Sequence, residues 1–151
     1  MKSSTIYLIS GPNLNLLELR DASLYGGISL EDIVSKYVRP SVESADFSLE
    51  EYQSNSEGDL INYLQAKLNC INEHDGILIN PAAFSHTSVA LLDLLELMPC
   101  PIIEVHLSNL AKREEFRRVS ITAAAASGVI YGFGPYGYQL ATIALLNLTR
   151  A

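Results

Sequence analysis

The chain has 151 residues, 48% of them hydrophobic and 18% charged, and a formal net charge of −7 at pH 7. That length matches one domain with a real core, and a mean hydropathy of +0.18 suits a globular protein able to cover both faces of a sheet. Phosphates would be repelled by the acidic balance, which argues against nucleic acid as a partner, and no run approaches the roughly 18 apolar residues of a membrane helix.

Residues 1–9 lack the basic start and small-residue cleavage site of a signal peptide, so the chain reads as cytoplasmic. Cys70 and Cys100 are too few for a disulfide framework and neither sits in a CxxC pair. Both read as small buried thiols. No linker, repeat or low-complexity tract divides residues 1–151, which read as a single domain.

Alternation of element types organises the sequence. IYLIS (6–10) predicts a buried strand. SLEDIVSKYV (29–38) predicts a helix capped by Ser29, with Asp32 three residues on supporting the cap, and Pro40 should end or kink it. FSLEEYQ (47–53) is a strand. EGDLINYLQAKLNCINEH (57–74) carries apolar residues at 60, 61, 64, 68 and 71, a helical stripe. GILIN (76–80) is a strand, and SVALLDLLELM (88–98) a helix stopped by Pro99 and Pro101. IIEVHL (102–107) is a strand, KREEFRR (112–118) a short helix, GVIYGFG (128–134) the fifth strand and YGYQLATIALLNLT (136–149) the closing helix. Five β/α alternations imply an α/β, flavodoxin-like three-layer sandwich: a five-stranded parallel sheet of order 2-1-3-4-5 with helices on both faces.

Ligands of open α/β sheets bind outside the carboxyl ends of the strands. Those ends carry GPN (11–13), NPAAFSH (80–86), EVHLSN (104–109) and GFGPYGY (132–138). His86 and His106 therefore face one crevice, while His74, between Glu73 and Asp75, reads as solvated. Glu104 and His106 are two apart on one strand, so their side chains share a face. A carboxylate beside an imidazole favours the protonated ring and fixes its orientation, which suits a general acid near neutral pH; the plain alternative is a structural ion pair. Asn80, Ser108 and Asn109 suit hydroxyls and a carboxylate, or serve as turn and cap residues. Arg113 and Arg117, one helical turn apart with glutamates nearby, read as a solvated face unless one turns inward.

Arg20 and Tyr25 lie in an irregular stretch, about 18–28, that would act as a lid if it closes over the crevice. A phenol with a free pKa of about 10 is no base at neutral pH, and bringing it to about 7 takes about 4 kcal/mol of preference for phenolate. A guanidinium held close in a dry site supplies most of that. The four lysines lie at the chain start and within or opening helices, leaving no Schiff-base candidate. A GxSxG elbow, a Walker loop and metal-spaced His/Cys clusters are absent. GFGPYGY alone is weak evidence for phosphate binding, although a flavodoxin-like module holding a phosphate or nucleotide is the alternative from another class.

GPNLNLL, Arg20-x-x-x-x-Tyr25-Gly26, YQSNSEG (52–58), INPAAFSHTSVAL (79–91), IEVHLSN (103–109) and REEFRR (113–118) stand together, from about residue 5 to 140, as they do in one known family. The chain closely resembles type II 3-dehydroquinate dehydratase. The resemblance implies a lyase of the shikimate pathway, serving chorismate and aromatic amino acid biosynthesis, that removes water from 3-dehydroquinate to give 3-dehydroshikimate with no cofactor and no metal. It implies Tyr25 as the base, Arg20 as the stabiliser of its phenolate, His106 as the acid, and Asn13 as a residue that helps hold the enolate through an ordered water. Asn80, His86 and Arg117 match positions that hold the substrate's hydroxyls, and Leu107 with Ser108 matches the carboxylate site. Asp93 matches a residue reaching a neighbouring subunit's site, and Arg113 one near the lid. A dodecamer, built as four trimers, is the assembly implied. The departures concentrate in the lid, where Glu18 replaces a glycine and Asp21-Ala22 replaces Glu-Pro. Losing that proline predicts a lid more often disordered without ligand and weaker substrate binding.

Overall fold

The computed structural model of the protein describes residues 4–150; the readings that touch residues 1–3 and 151 lie outside them. Five strands form one sheet: β1 (Thr5–Ser10), β2 (Ser48–Gln53), β3 (Gly76–Asn80), β4 (Ile102–His106) and β5 (Gly128–Tyr131). The order is β2-β1-β3-β4-β5 and every pairing is parallel. The predicted flavodoxin-like order is therefore the observed one.

Period-two alternation divides the strand residues between two cores. Ile6, Leu8, Leu78, Ile103 and Val105 pack in one cluster with Ile33, Val34, Tyr138 and Leu145. Tyr7, Ile9, Ile77, Ile79 and Ile102 pack in the other with Leu60, Leu64, Leu91 and Leu94. The first cluster lies under α2 (Leu30–Ile33), α3 (Arg39–Ser44) and α6 (Tyr136–Thr149); the second lies under α4 (Glu57–Lys67) and α5 (Val89–Leu95). The outstanding helix, α1, is a single turn at Ala22–Tyr25. Glu104 and His106 share the strand parity of Ile102 and stand at the carboxyl end of β4.

Helix starts follow their side-chain caps. Ser29 accepts from the Asp32 amide, Ser56 from the Asp59 amide and Ser88 from the Leu91 amide, each satisfying an otherwise unpaired first-turn donor. Pro40 does not end its helix. A π-type turn over Val34–Val38 joins α2 to α3, with Pro40 in the first turn of α3. The wider turn accommodates a residue that has no N–H to donate and crowds the preceding carbonyls.

Three sequence expectations are corrected. The helix over 57–74 stops at Lys67, so position 70 falls off the buried stripe and Cys70 is exposed, while Cys100 is buried as expected. Burial pushes the Cys100 thiol up to about 12. KREEFRR forms no α-helix; its lysine ends a 3₁₀ turn, Leu110–Lys112, and a second such turn, Glu115–Arg117, follows after Arg113 and Glu114. Seven residues cannot offset the cost of helix nucleation without a packed apolar face. The fifth strand ends at Tyr131 rather than at 134. Among the described residues no helix is long and apolar enough to cross a membrane.

Candidate active site

The strand ends β1, β3 and β4 converge on a half-open cavity of about 120 Å³. Its first wall is the GPN turn. Gly11 is required there by close approach: a Cβ would lie 2.2 Å from the Pro81 carbonyl oxygen, and the Gly11 amide donates to the Asn80 carbonyl at 2.8 Å. This contact clamps the loop after β1 against the loop after β3. Asn13 follows with a left-handed backbone (φ 66°), and its amide donates to Asn55 Oδ1 at 2.9 Å. Gln53 Nε2 donates to the Gly11 carbonyl and to Asn55 Oδ1, both at 3.2 Å. YQSNSEG thus acts as a brace for the GPN turn, a role that motif matching did not assign.

The loop after β3 supplies Asn80 and His86. Asn80 is buried; its Nδ2 donates to the Tyr138 hydroxyl at 2.9 Å and its Oδ1 accepts from the Ala82 amide at 3.0 Å. Both bonds fix the amide's orientation. Burial pushes the Tyr138 phenol up to about 12, against a smaller opposing effect of the Asn80 bond, so it remains a neutral partner. Tyr138 gives GFGPYGY a function that its glycines concealed: it supports a cavity residue from below. His86 Nδ1 donates to the Val119 carbonyl at 2.8 Å, which leaves Nε2 as the other hydrogen-bonding nitrogen of the ring.

The end of β4 carries the acid candidate. His106 Nε2 lies 2.6 Å from Glu104 Oε1, with both side chains buried. Thr122 Oγ1 donates to Glu104 Oε2 at 2.7 Å, and Ser120 Oγ donates to Oε1. Burial pushes the Glu104 carboxyl up, but the bonds from His106, Ser120 and Thr122 outweigh it and hold its pKa below the ordinary carboxylate value. Nε2 of His106 is thereby committed as a donor, and Nδ1 is the nitrogen left for chemistry.

The lid segment brings the base candidate. Tyr25 ends α1 and is only 9% exposed. Arg20 Nη2 donates to its hydroxyl oxygen at 2.7 Å, and the same guanidinium carbon lies 3.9 Å from the ring centroid. Arg113 Nη1 donates to that oxygen at 3.0 Å and to Ser108 Oγ at 3.0 Å. Two cations therefore converge on one phenol, where the sequence pointed to one. Gly26 closes the lid turn in a left-handed conformation (φ 85°), and a Cβ there would lie 2.5 Å from the Pro135 ring, so the lid seats directly against the start of α6.

Arg113 and Arg117 both line the cavity instead of forming a solvated face. Glu114 lies between them, at 3.2 Å from Arg113 Nε and 3.3 Å from Arg117 Nε. The second is an ion-pair distance without hydrogen-bond geometry, leaving Arg117 Nε the one buried side-chain polar atom without a hydrogen-bond partner among the described residues. Burial works against the Arg113 charge, yet the Tyr25 bond and the neighbouring Glu114 outweigh it and raise its pKa.

Of the residues singled out from the sequence, Asn13, Arg20, Tyr25, Asn80, His86, His106, Leu107, Ser108 and Arg117 line the cavity. Asp93 does not; it is exposed on α5. Asn109 caps the turn after β4 by accepting from the Ala111 amide. Among the described residues no three His, Cys, Asp or Glu side chains are grouped to hold a metal ion.

The arrangement holds a phenol between guanidiniums, an imidazole on a buried carboxylate, and neutral amides on one small cavity, which equips it for proton abstraction and proton delivery. Comparison with known proteins agrees in kind. The family model described as dehydroquinase class II matches residues 4–146. A 3-dehydroquinate dehydratase of Aliarcobacter butzleri is 48% identical over 143 residues, covering 95% of this chain and 85% of that one. The crystal structure of a type II dehydroquinase from Butyrivibrio crossotus superposes with a TM-score of 0.87 at 40% identity, over 96% of this chain and 98% of that one. The type II dehydroquinase of Propionibacterium acnes does so with a TM-score of 0.86 at 34% identity, over 96% and 97%. The chain belongs to the class II dehydroquinase family.

Proposed function

We propose that the chain is a 3-dehydroquinate dehydratase that removes water from 3-dehydroquinate to give 3-dehydroshikimate, with Tyr25 as base and His106 as acid, in the shikimate route to chorismate and the aromatic amino acids. The observation that carries this reading is the Tyr25 oxygen held at 2.7 Å by Arg20 and 3.0 Å by Arg113 on the cavity that His106 also lines. Two guanidiniums favour the anionic phenol, which takes the proton from the carbon next to the ketone and leaves an enolate. Asn13, on the facing wall, helps hold that enolate through a water. The His106 imidazolium then gives its proton to the departing hydroxyl, which leaves as water, and the double bond forms as the enolate collapses. Tyr25 ends protonated and His106 neutral, so one proton passes back through solvent to reset the site.

Asn80, His86 and Arg117 take the substrate's hydroxyls, and the Ser108 hydroxyl with the Leu107–Ser108 backbone takes its carboxylate. This division suits a small, polyhydroxylated ring acid, and every step is supplied by this chain's own residues, without cofactor or metal. Ultraviolet detection of the conjugated product tests it: the parent converts 3-dehydroquinate, and Tyr25→Phe loses at least about 10³-fold in kcat. Comparable rates in the two would remove Tyr25 from its role. Borohydride with substrate should leave activity intact, since no imine forms; inactivation would overturn the mechanism.

The same reading places the protein in the cytoplasm as a dodecamer of four trimers. Val89, Asp93 and Leu97 recur at fours along and just beyond α5, and Val89 and Leu97 are 55% and 67% exposed. An apolar strip with a carboxylate at its centre suits a subunit contact through which Asp93 reaches a neighbour's cavity. Sedimentation of the purified chain at a single-subunit mass would exclude it.

A further inference from the structure

The carboxylate behind His106 is more fully occupied than an ion pair requires. Glu104 Oε1 accepts from His106 Nε2 and from Ser120 Oγ, while Oε2 accepts from Thr122 Oγ1 at 2.7 Å. The direction of both hydroxyl bonds is constrained. Ser120 Oγ already accepts from the Ala123 amide at 3.2 Å, so its own proton is free to point at the carboxylate. Thr122 is 1% exposed, and the two hydroxyl oxygens lie 3.2 Å apart, so water is not needed to complete the set. Three donors facing one carboxylate leave no favourable place for a proton on it, because a neutral carboxyl would turn its own O–H against one of them.

We propose that Ser120 and Thr122 are positioning residues for the acid: their hydroxyls hold Glu104 ionised and aimed, and so set the pH at which His106 gives up its proton. The proposal rests on the reading of His106 as general acid. Its physical basis is competition for the carboxylate's electron density. A carboxylate that already accepts two hydroxyl bonds is a weaker base toward the imidazole than a bare one. It holds the cationic ring less tightly than a bare carboxylate would, which leaves the proton easier to deliver. Removing a hydroxyl leaves the carboxylate more basic, tightens its hold on the cationic ring, and makes His106 a poorer acid. The other titratable or charged groups on this cavity are Arg20 and Tyr25 from the lid, His86 after β3, and Arg113 and Arg117 after β4. A change at position 120 or 122 leaves all of these in place.

Neither position stands out in the sequence. SITAAAA follows the basic cluster and looks like an ordinary turn. In the structure Ser120 stands two residues before Thr122, which opens a 3₁₀ segment, Thr122–Ala125. That placement delivers two hydroxyls to a strand side chain sixteen and eighteen residues earlier.

The test compares pH profiles of kcat on 3-dehydroquinate for the parent, Thr122→Val, Ser120→Ala and Thr122→Ser, together with the His106 imidazole titration followed by NMR. Thr122→Val keeps the shape and removes the hydroxyl; we expect its alkaline limb and its imidazole midpoint to move upward by on the order of half a unit. Its kcat should fall roughly three- to thirty-fold with KM nearly unchanged. Ser120→Ala should move in the same direction, and it carries the test alone if Thr122→Val fails to fold. Thr122→Ser, which retains the hydroxyl, should restore the parent's profile. Superimposable profiles and midpoints in the hydroxyl-free variants and the parent would overturn the proposal, as would Thr122→Ser behaving like Thr122→Val. A parent with no dehydratase activity would instead sink the functional reading, and the imidazole midpoints would still decide whether the hydroxyls govern His106.

Discussion

The His106 side and the Tyr25 side of this cavity are built by opposite means. Glu104 and His106 project from a central strand, buried between β3 and β5, and their network is closed by hydroxyls from a segment packed beneath them. Arg20 directly follows a 3₁₀ segment (Leu14–Leu19), and Tyr25 ends a single helical turn. They are joined to the rest by the Arg113 bond 88 residues away and by Gly26 against Pro135. Preorganisation by the sheet costs nothing at the moment of reaction. The proposed lid, about 18–28, would have to be ordered at each closure, by local turn chemistry. Damage to the first side should therefore register in stability and pH dependence as well as in kcat, and damage to the second in kcat and KM with stability untouched.

The largest separation comes from Glu104→Gln, which keeps the shape and removes the charge. Loss of the imidazole's counter-charge should cost at least about 100-fold in kcat, within the range for general acid catalysis. Stability follows a definite sign. The Glu104 pKa is depressed in the folded state, so its ionised form contributes stability above the unfolded value of about 4.3, and the contribution is lost as pH falls through the folded value. Denaturant midpoints of parent and Glu104→Gln should differ by a constant amount near neutrality and converge in acid. A gap that widens on acidification would contradict an ionised carboxylate.

Arg113→Ala acts on the other side. It removes one of two cationic donors to the Tyr25 oxygen, and a hydrogen bond to a charged group contributes about 1.5–3 kcal/mol, or about 10- to 150-fold in kcat/KM. Its thermal midpoint should stay near the parent's, since the guanidinium spans the cavity rather than the core. A large loss of stability with unchanged kinetics would mean that Arg113 only props the loop.

This division also explains what the sequence disclosed. Strand order, the two-faced core and the Glu104–His106 pair follow from alternation and from a spacing of two, both of which are local. Residues that matter through distant contacts were hidden. Arg113 reads as surface because its partner is Tyr25, and Tyr138 reads as turn packing because its partner is Asn80. Gln53 and Asn55 brace a turn some 42 residues earlier. Ser120 and Thr122 look like any loop. Cys70 misled because a helical stripe was extended past the residue where the helix stops.

The smallest effect bears on the lid itself. Asp21 takes the place of the expected glutamate and Ala22 that of proline, a change that predicts a looser lid. The structure places Asp21 at the helix cap, where its carboxylate accepts from the Ser23 amide at 2.9 Å and the Ser23 hydroxyl at 2.7 Å. Those two bonds hold the Asp21 carboxyl below its ordinary value. The cap recovers part of the order that a proline would have imposed. Ala22 occupies the first helical position, where proline is tolerated because that amide has no helical partner. Asp21 already has the extended ψ of 112° that a following proline requires. Ala22→Pro should therefore fit without strain and restrict only the open lid, favouring closure by about 0.4–1 kcal/mol. KM should fall about two- to five-fold while kcat holds or declines slightly as product release slows. Asp21→Ala should move KM the opposite way, and the double variant should return toward the parent, because cap and ring restrict the same turn. An Ala22→Pro variant with a raised KM would show that the lid's order is limited elsewhere than at this turn.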